Sequence, residues 1–183
     1  MGEKFAALFR WIVALVFGGI ILFVIIGVLL PNHFKVQRSV TLSHTAAAVF
    51  PQINRLQAFR LWAPWLRHNA NVQIQFSSLS EGVGSTMNWT STHPDVREGT
   101  IEIIESIPTR FVRYEMNFVG LSVAESSFEL IQNGPKSTEI IWIYDMALDS
   151  IFMRYLALGM EDIIGESCEQ GLRYLGEIVD NLA

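Results

Sequence analysis

In residues 153–182, MRYLALGMEDIIGESCEQGLRYLGEIVDNL, the period of the chain changes. Met153, Leu156, Met160, Ile163, Ile164, Cys168, Leu172, Leu175, Ile178, Val179 and Leu182 recur at steps of three and four. Glu161, Glu166, Glu169, Arg173, Glu177 and Asp180 fill much of what lies between. That spacing predicts a long amphipathic helix with one apolar face. Gly159, Gly165, Gly171 and Gly176 each cost such a helix about 1 kcal/mol relative to alanine. So many glycines point to close approach to another layer, most naturally a sheet, although any single one is compatible with mere tolerance.

The sequence before this helix supplies the sheet. Val72–Ser77 alternates apolar and polar residues, and Ser85–Thr90, Gly99–Glu105, Phe111–Phe118, Ser122–Ile131 and Thr138–Met146 follow as strands. Glu81-Gly82-Val83-Gly84 reads as a hairpin turn because glycine accepts the positive φ that such turns need. Pro108, Gly120 and Asn133-Gly134-Pro135 punctuate the remaining strands. Short strands joined by tight turns predict an antiparallel meander. Upstream, Ser43 and Thr45 offer capping oxygens before a short helix, AAAVFPQI, which Pro51 is expected to kink or break. An aromatic-rich segment follows at Leu56–Leu66. Phe34–Leu42 alternates as an opening strand, with Arg38 sharing a face with Phe34, Val36, Val40 and Leu42.

At the N-terminal end, Trp11–Leu30 is an uncharged apolar run of about 20 residues, roughly 30 Å as a helix and enough to cross a bilayer. It is longer than the apolar region of a cleaved signal and ends without a small-x-small site, so an uncleaved anchor is expected. Lys4, Arg10 and the terminal amine precede the run, whereas Lys35 and Arg38 follow it. This slight bias favours a cytoplasmic N-terminus and an exported domain. The expected organisation is an anchor over residues 1–32 and one domain over residues 33–183.

Charge narrows the partners. Thirteen Lys and Arg less Lys4 and Arg10 leave 11, eighteen Asp and Glu less Glu3 leave 17, and the difference is −6. An acidic domain argues against nucleic acid or an anionic headgroup surface as its ligand. The single Cys168 can form no internal disulfide and is expected in the core. Phosphate-loop, dinucleotide, zinc-protease and serine-elbow motifs are absent, and the four histidines lack ligand spacing. No catalytic residue, cofactor or metal site is therefore assigned. His93-Pro94-Asp95 with Arg97 and Glu98 is the compact titratable group, but it reads first as a turn. Arg113 and Glu115 share one face of their strand, opposite Tyr114, Met116 and Phe118.

The order strand, two short helices, six strands and a long helix resembles the SRPBCC superfamily, which includes START and polyketide-cyclase domains. The resemblance covers roughly residues 34–183. It is carried by Val36-Gln37-Arg38-Ser39-Val40, Ala46-Ala47-Ala48-Val49-Phe50, Trp62-Ala63-Pro64-Trp65, Glu81-Gly82-Val83-Gly84-Ser85 with Trp89, and Gly171-Leu172-Arg173-Tyr174-Leu175. A leading membrane helix resembles one bacterial subgroup. The implied fold is α+β, a helix-grip: a curved antiparallel sheet around the C-terminal helix, with a cavity between them. The implied ligand is a hydrophobic small molecule, lipid-, quinone- or polyketide-like. Trp62, Trp65, Trp89, Trp142, Phe118, Phe128 and Tyr144 would supply the wall, with Arg38 or Arg113 as a polar anchor. The pattern of aromatics alone does not separate an open interior from a packed one. The implied location is a bacterial inner membrane, single-pass, with the domain in the periplasm and the bilayer contacted through residues 11–30. Two alternatives remain: an accessory subunit among other membrane proteins, and an enzyme of cyclase or dehydratase type, which family membership does not establish.

Overall fold

The computed structural model describes residues 2–67, 72–91, 98–120 and 123–182. An exposed apolar helix, α1 (Gly2–Leu29), leads within three residues into strand β1 (His33–Leu42). Helices α2 (Ala46–Asn54), α3 (Leu56–Trp62) and α4 (Pro64–Arg67) follow. The Thr45 hydroxyl starts α2 by accepting from the Ala48 amide at 3.3 Å. Strands β2 (Val72–Phe76), β3 (Thr86–Ser91), β4 (Gly99–Ile107), β5 (Phe111–Phe118), β6 (Ala124–Gly134) and β7 (Ser137–Ala147) form the meander. Two helices, α5 (Ile151–Ala157) and α6 (Met160–Leu182), end the chain.

All seven strands pair antiparallel in the order β1-β7-β6-β5-β4-β3-β2. Since β1 and β2 occupy opposite edges, the helices joining them must cross one face of the sheet. That face is the buried one. Thr138, Ile140, Trp142, Tyr144 and Met146 of β7 point into it, as do Val112, Tyr114 and Met116 of β5. Register shifts at Ile103/Glu105 and Gln132/Gly134 mark bulges, which sharpen local twist and curl the sheet around the helices. Gly82 and Gly84, at φ of 78° and 86°, form the predicted β2–β3 turn. This turn is tied to the end of α2: the Gly82 amide donates to the Asn54 carbonyl at 3.1 Å, and Arg55 pairs with Glu81 at 2.5 Å. The result is the expected helix-grip, a curved antiparallel sheet holding a long C-terminal helix.

Two local expectations are corrected. Of the kink or break expected at Pro51 the break does not occur: Pro51 lies inside α2 without ending it, because a single missing hydrogen bond is outweighed by burial of Val49 and Ile53 on either side. The C-terminal helix is two helices: α5 ends at the Leu158-Gly159 turn, and α6 starts afresh at Met160. Periodicity concealed the break because Leu156 and Met160 keep a four-residue step across it.

The glycines of α6 face the layer beneath it. A Cβ on Gly171 would lie 2.7 Å from the Trp142 ring and 3.3 Å from Pro64 Cδ; one on Gly165 would lie 2.2 Å from an Arg38 nitrogen. A Cβ on Gly176 would lie 3.1 Å from Leu42. Gly171→Ala should therefore lower unfolding free energy by about 1–3 kcal/mol, overpacking against a rigid ring outweighing the gain of about 1 kcal/mol in helix propensity. Gly159→Ala, with no neighbour nearer than a helix carbonyl at 4.0 Å, should be neutral or stabilising. Urea unfolding of the detergent-solubilised protein measures both. Equal effects would refute the close-approach explanation.

Candidate functional site

The aromatic residues expected to line a cavity fall into three groups. The largest lies where α3 crosses the sheet. Trp62 packs edge-on against Phe59, Phe128 and Trp142 with ring centroids at 4.7, 5.7 and 5.5 Å. Tyr114 closes the set against Phe59 at 5.1 Å and Phe128 at 5.2 Å. These five residues are fully buried. Their polar edges are committed: Trp62 Nε1 donates to the Gln52 carbonyl at 2.9 Å, Trp142 Nε1 to Ser126 Oγ at 2.7 Å, and the Tyr114 hydroxyl to the Ile53 carbonyl. Of these, Trp62, Phe128 and Trp142 are expected from the sequence as cavity wall and Tyr114 on an apolar strand face, whereas Phe59 is not singled out. Their mutual contact, with each ring filling the space beside the next, was not legible from spacing.

Trp65 differs from its neighbours. It reaches the block through Phe59, at 5.8 Å, and remains partly exposed. Its Nε1–H is shielded from solvent yet has no acceptor among the described residues. A buried N–H without an acceptor forfeits about 1–3 kcal/mol of hydration, so an acceptor from outside the chain would be favoured there.

The second group is Trp89 with Phe118, edge to face at 5.4 Å on β3 and β5. Gly99 makes room for it: a Cβ there would lie 2.5 Å from the Trp89 ring and 2.6 Å from the Asn117 carbonyl. Trp89 is buried and Phe118 half-buried.

The third group surrounds Arg38. Its side chain does turn inward with Val36 and Val40, against the backbone of α6 at Gly165. Nε donates to Glu169 Oε1 at 2.7 Å and Nη1 to the Gln37 carbonyl at 2.9 Å. The charge is thus compensated within the protein, by a partner 131 positions away that no local pattern announces. Cys168 lies beside the pair, buried, as expected for a core residue. Burial pushes its thiol from an ordinary 9.0 up to about 12; Arg38 opposes this and Glu169 adds to it. Tyr144, which meets Phe34 edge-on at 6.5 Å, is raised to about 12 by burial and then by Cys168. Burial raises the Tyr114 hydroxyl well above 10.0. These groups stay neutral near neutral pH, so the thiol is no nucleophile there.

Arg113 is a correction. Strand alternation places Tyr114 and Met116 inside and Arg113 on the outer face with Glu115. There it pairs with Glu105 at 3.2 Å and Glu125 at 3.5 Å. It lines an open groove of about 770 Å³ together with Ile107, Arg110, Phe111 and Glu129, and it cannot anchor a ligand beneath α6. Glu115 is exposed, which removes it as an interior acid. His68, the His93-Pro94-Asp95 turn and Arg97 lie outside the described residues.

No family model and no curated protein matches the chain. Solved structures do match its fold. An uncharacterized protein from Rhizobium leguminosarum superposes with a TM-score of 0.61 at 16% identity, over 81% of this chain and 95% of its own. Truncated norcoclaurine synthase from Thalictrum flavum gives a TM-score of 0.64 at 12% identity, over 80% and 93%. The same enzyme in complex with dopamine and hydroxybenzaldehyde gives 0.61 at 11%, over 81% and 87%. At these identities the likeness shows the fold alone, and that fold is the helix-grip.

Proposed function

We propose that this chain is a membrane-tethered binding module, akin to the bacterial SRPBCC proteins with a leading membrane helix. It takes up an uncharged hydrophobic small molecule between its sheet and C-terminal helix. The observation that carries the reading is Trp65, whose buried Nε1–H lacks an acceptor among the described residues, at the edge of an otherwise satisfied aromatic block. A ligand with one carbonyl or hydroxyl oxygen on an apolar frame, as in a quinone or polyketide, matches that need. In this reading Trp62, Phe128 and Trp142, packed on one another, would back the Trp65 edge where the ligand sits. Trp89 with Phe118, and Tyr144 with Phe34, form separate aromatic groups, and Arg38, already neutralised by Glu169, makes no demand for an anionic ligand. The norcoclaurine synthase complex, with dopamine and hydroxybenzaldehyde, makes small aromatics the first class to try. Among the described residues, Leu8–Leu29 is the helical stretch long and apolar enough to cross a membrane, and nearly all of it is exposed. Tethering suits such cargo because it raises local concentration at the bilayer.

Native mass spectrometry of the detergent-purified full chain, with 1-aminoanthracene fluorescence as a displacement probe, tests the proposal. Saturable probe binding is expected, and Trp65→Phe should weaken it roughly 2- to 10-fold, the worth of one hydrogen bond, with the fold intact. Absence of both a co-purifying small molecule and saturable binding would reject it. Stoichiometric co-purification of another membrane protein in their place would favour the accessory-subunit reading.

The same neutral interior has a pH signature. Cys168 and Tyr144 have folded-state values above their unfolded ones, so their contribution is complete below about pH 9 and is lost as pH climbs toward 12. Cys168 should react slowly with Ellman's reagent in the folded protein at neutral pH. Near-ultraviolet circular dichroism should collapse in the same alkaline window in which tyrosinate absorbance rises. Tyrosinate formation at Tyr114 and Tyr144 well below pH 10 without loss of structure would contradict this.

A further inference from the structure

Helix α5 touches the core only through the partly buried Met153 and Ala157. Its seven residues, IFMRYLA, include no buried one, although six are apolar or aromatic. It docks instead on the last turns of α1. The Tyr155 ring stacks on Phe23 at 4.3 Å and 11°, and its hydroxyl donates to the Phe23 carbonyl at 2.6 Å. Gly27 provides the seat: a Cβ there would lie 2.1 Å from Ile151 Cγ2 and 2.9 Å from the Tyr155 ring. Arg154 Nη1 donates to the carbonyls of Gly27 and Val28 at 3.3 and 3.2 Å. Those carbonyls belong to the end of a helix with no basic residue in its own last turn.

This docking sets a depth. Phe23 precedes the end of α1 by six residues, about 9 Å along the axis at 1.5 Å per residue. A bilayer around Leu8–Leu29 would therefore hold Tyr155 below the level at which α1 emerges. Around that point, Phe152, Leu156, Leu158 and Ile163 leave 65, 48, 67 and 69% of their surface uncovered. They continue the exposed apolar surface of α1 onto the domain. The acidic Glu161 and Asp162 open α6 within this stretch, which limits it to the level of the headgroups.

We infer that Ile151–Ile163 is a second membrane contact, α5 with the turn after it and the first residues of α6, lying in the lipid interface with Phe152, Leu156, Leu158 and Ile163 against acyl chains. This rests on the tether reading and adds to it: the domain is mounted at two points and presents one fixed side to the bilayer. The Tyr155 hydroxyl and Arg154 Nη1 meet backbone carbonyls, as polar groups at that depth require, whereas Arg154 Nε is shielded without an acceptor among the described residues. The arginine stem also lets its charge reach toward the headgroups.

Site-directed spin labelling of the full chain in phosphatidylcholine nanodiscs, on a Cys168→Ala background, tests the inference. Labels are placed singly at positions 15, 83, 152 and 156. Position 15 reports the tether, and position 83, in the exposed β2–β3 turn, reports water. The ratio of oxygen to nickel-chelate accessibility at 152 and 156 should match that at 15 and exceed that at 83 severalfold. If 15 reads lipid while both 152 and 156 read water, the interfacial helix is overturned and the tether survives. If 15 itself reads water, the tether reading falls and this inference with it.

Discussion

Everything in the domain accommodates the close approach of α6 to the sheet at Gly171. A glycine in mid-helix costs about 1 kcal/mol, whereas burying a tryptophan ring of 150–250 Å² contributes about 4–6 kcal/mol at 25 cal/mol/Å². The exchange favours a helix with gaps, provided that rings fill them. Trp142 occupies the gap at Gly171, with Pro64 of α4 wedged beside it, and Arg38 lies against Gly165. Helix α3 then lays Trp62 across Trp142 and Phe128, so α3, α4, α6 and β7 meet around one stack of rings. The indole N–H groups of Trp62 and Trp142 must find acceptors in this dry interior, and Gln52 and Ser126 supply them. Trp65 lies outside that closed accounting, which is why it marks the candidate site better than ring size does.

Much of this architecture is legible in the residues. Strand boundaries follow the alternation closely, and the paired glycines at 82 and 84 locate their turn because only glycine takes positive φ without cost. Arg38 could be assigned to an inward face for the same period-two reason. What alternation cannot carry is the partner across the fold, since Glu169 arrives from a helix 131 positions later. The break at Gly159 was equally hidden, because a helical step can persist through a turn that changes the axis. Seven aromatics could be read as interior, but whether a ring faces a cavity or another ring depends on three-dimensional register. For Arg113, period two alone suffices, since it sets the side chain opposite Tyr114 and Met116 on the outer face.

The junction between α1 and the domain is stiff, and the reason is local. Only Leu30, Pro31 and Asn32 separate α1 from β1, and the Asn32 carbonyl accepts from the Leu148 amide at 2.8 Å, just beyond the end of β7. Chain emerging from α1 is thus stitched to both edges of one strand pair, β1 and β7, while α5 returns to clasp the helix it left. Three residues with one fixed carbonyl have little freedom to swivel. A domain mounted in this way keeps one orientation relative to α1, and every side chain near α5 inherits a defined distance from the end of that helix.

In the tethered reading this geometry sets apolar attraction against charge. Scaled by their exposed fractions, Phe152, Leu156, Leu158 and Ile163 would gain about 4–7 kcal/mol on full transfer to hydrocarbon, at 1.5–3 kcal/mol per side chain. An anionic surface would oppose this through Asp149, Glu161 and Asp162, at about 1 kcal/mol for each charge held close to it. The apolar term exceeds the repulsion, and the excess is largest on zwitterionic lipid or at high salt, where the Debye length falls from about 10 Å at about 0.1 M to about 3 Å at about 1 M. The remaining acidic groups of the domain act in the same direction as those three, so repulsion would turn the bulk of the domain outward while α5 holds its base. Attraction concentrated at one short helix and repulsion spread over the rest together define an upright stance that a flexible tether alone would not impose.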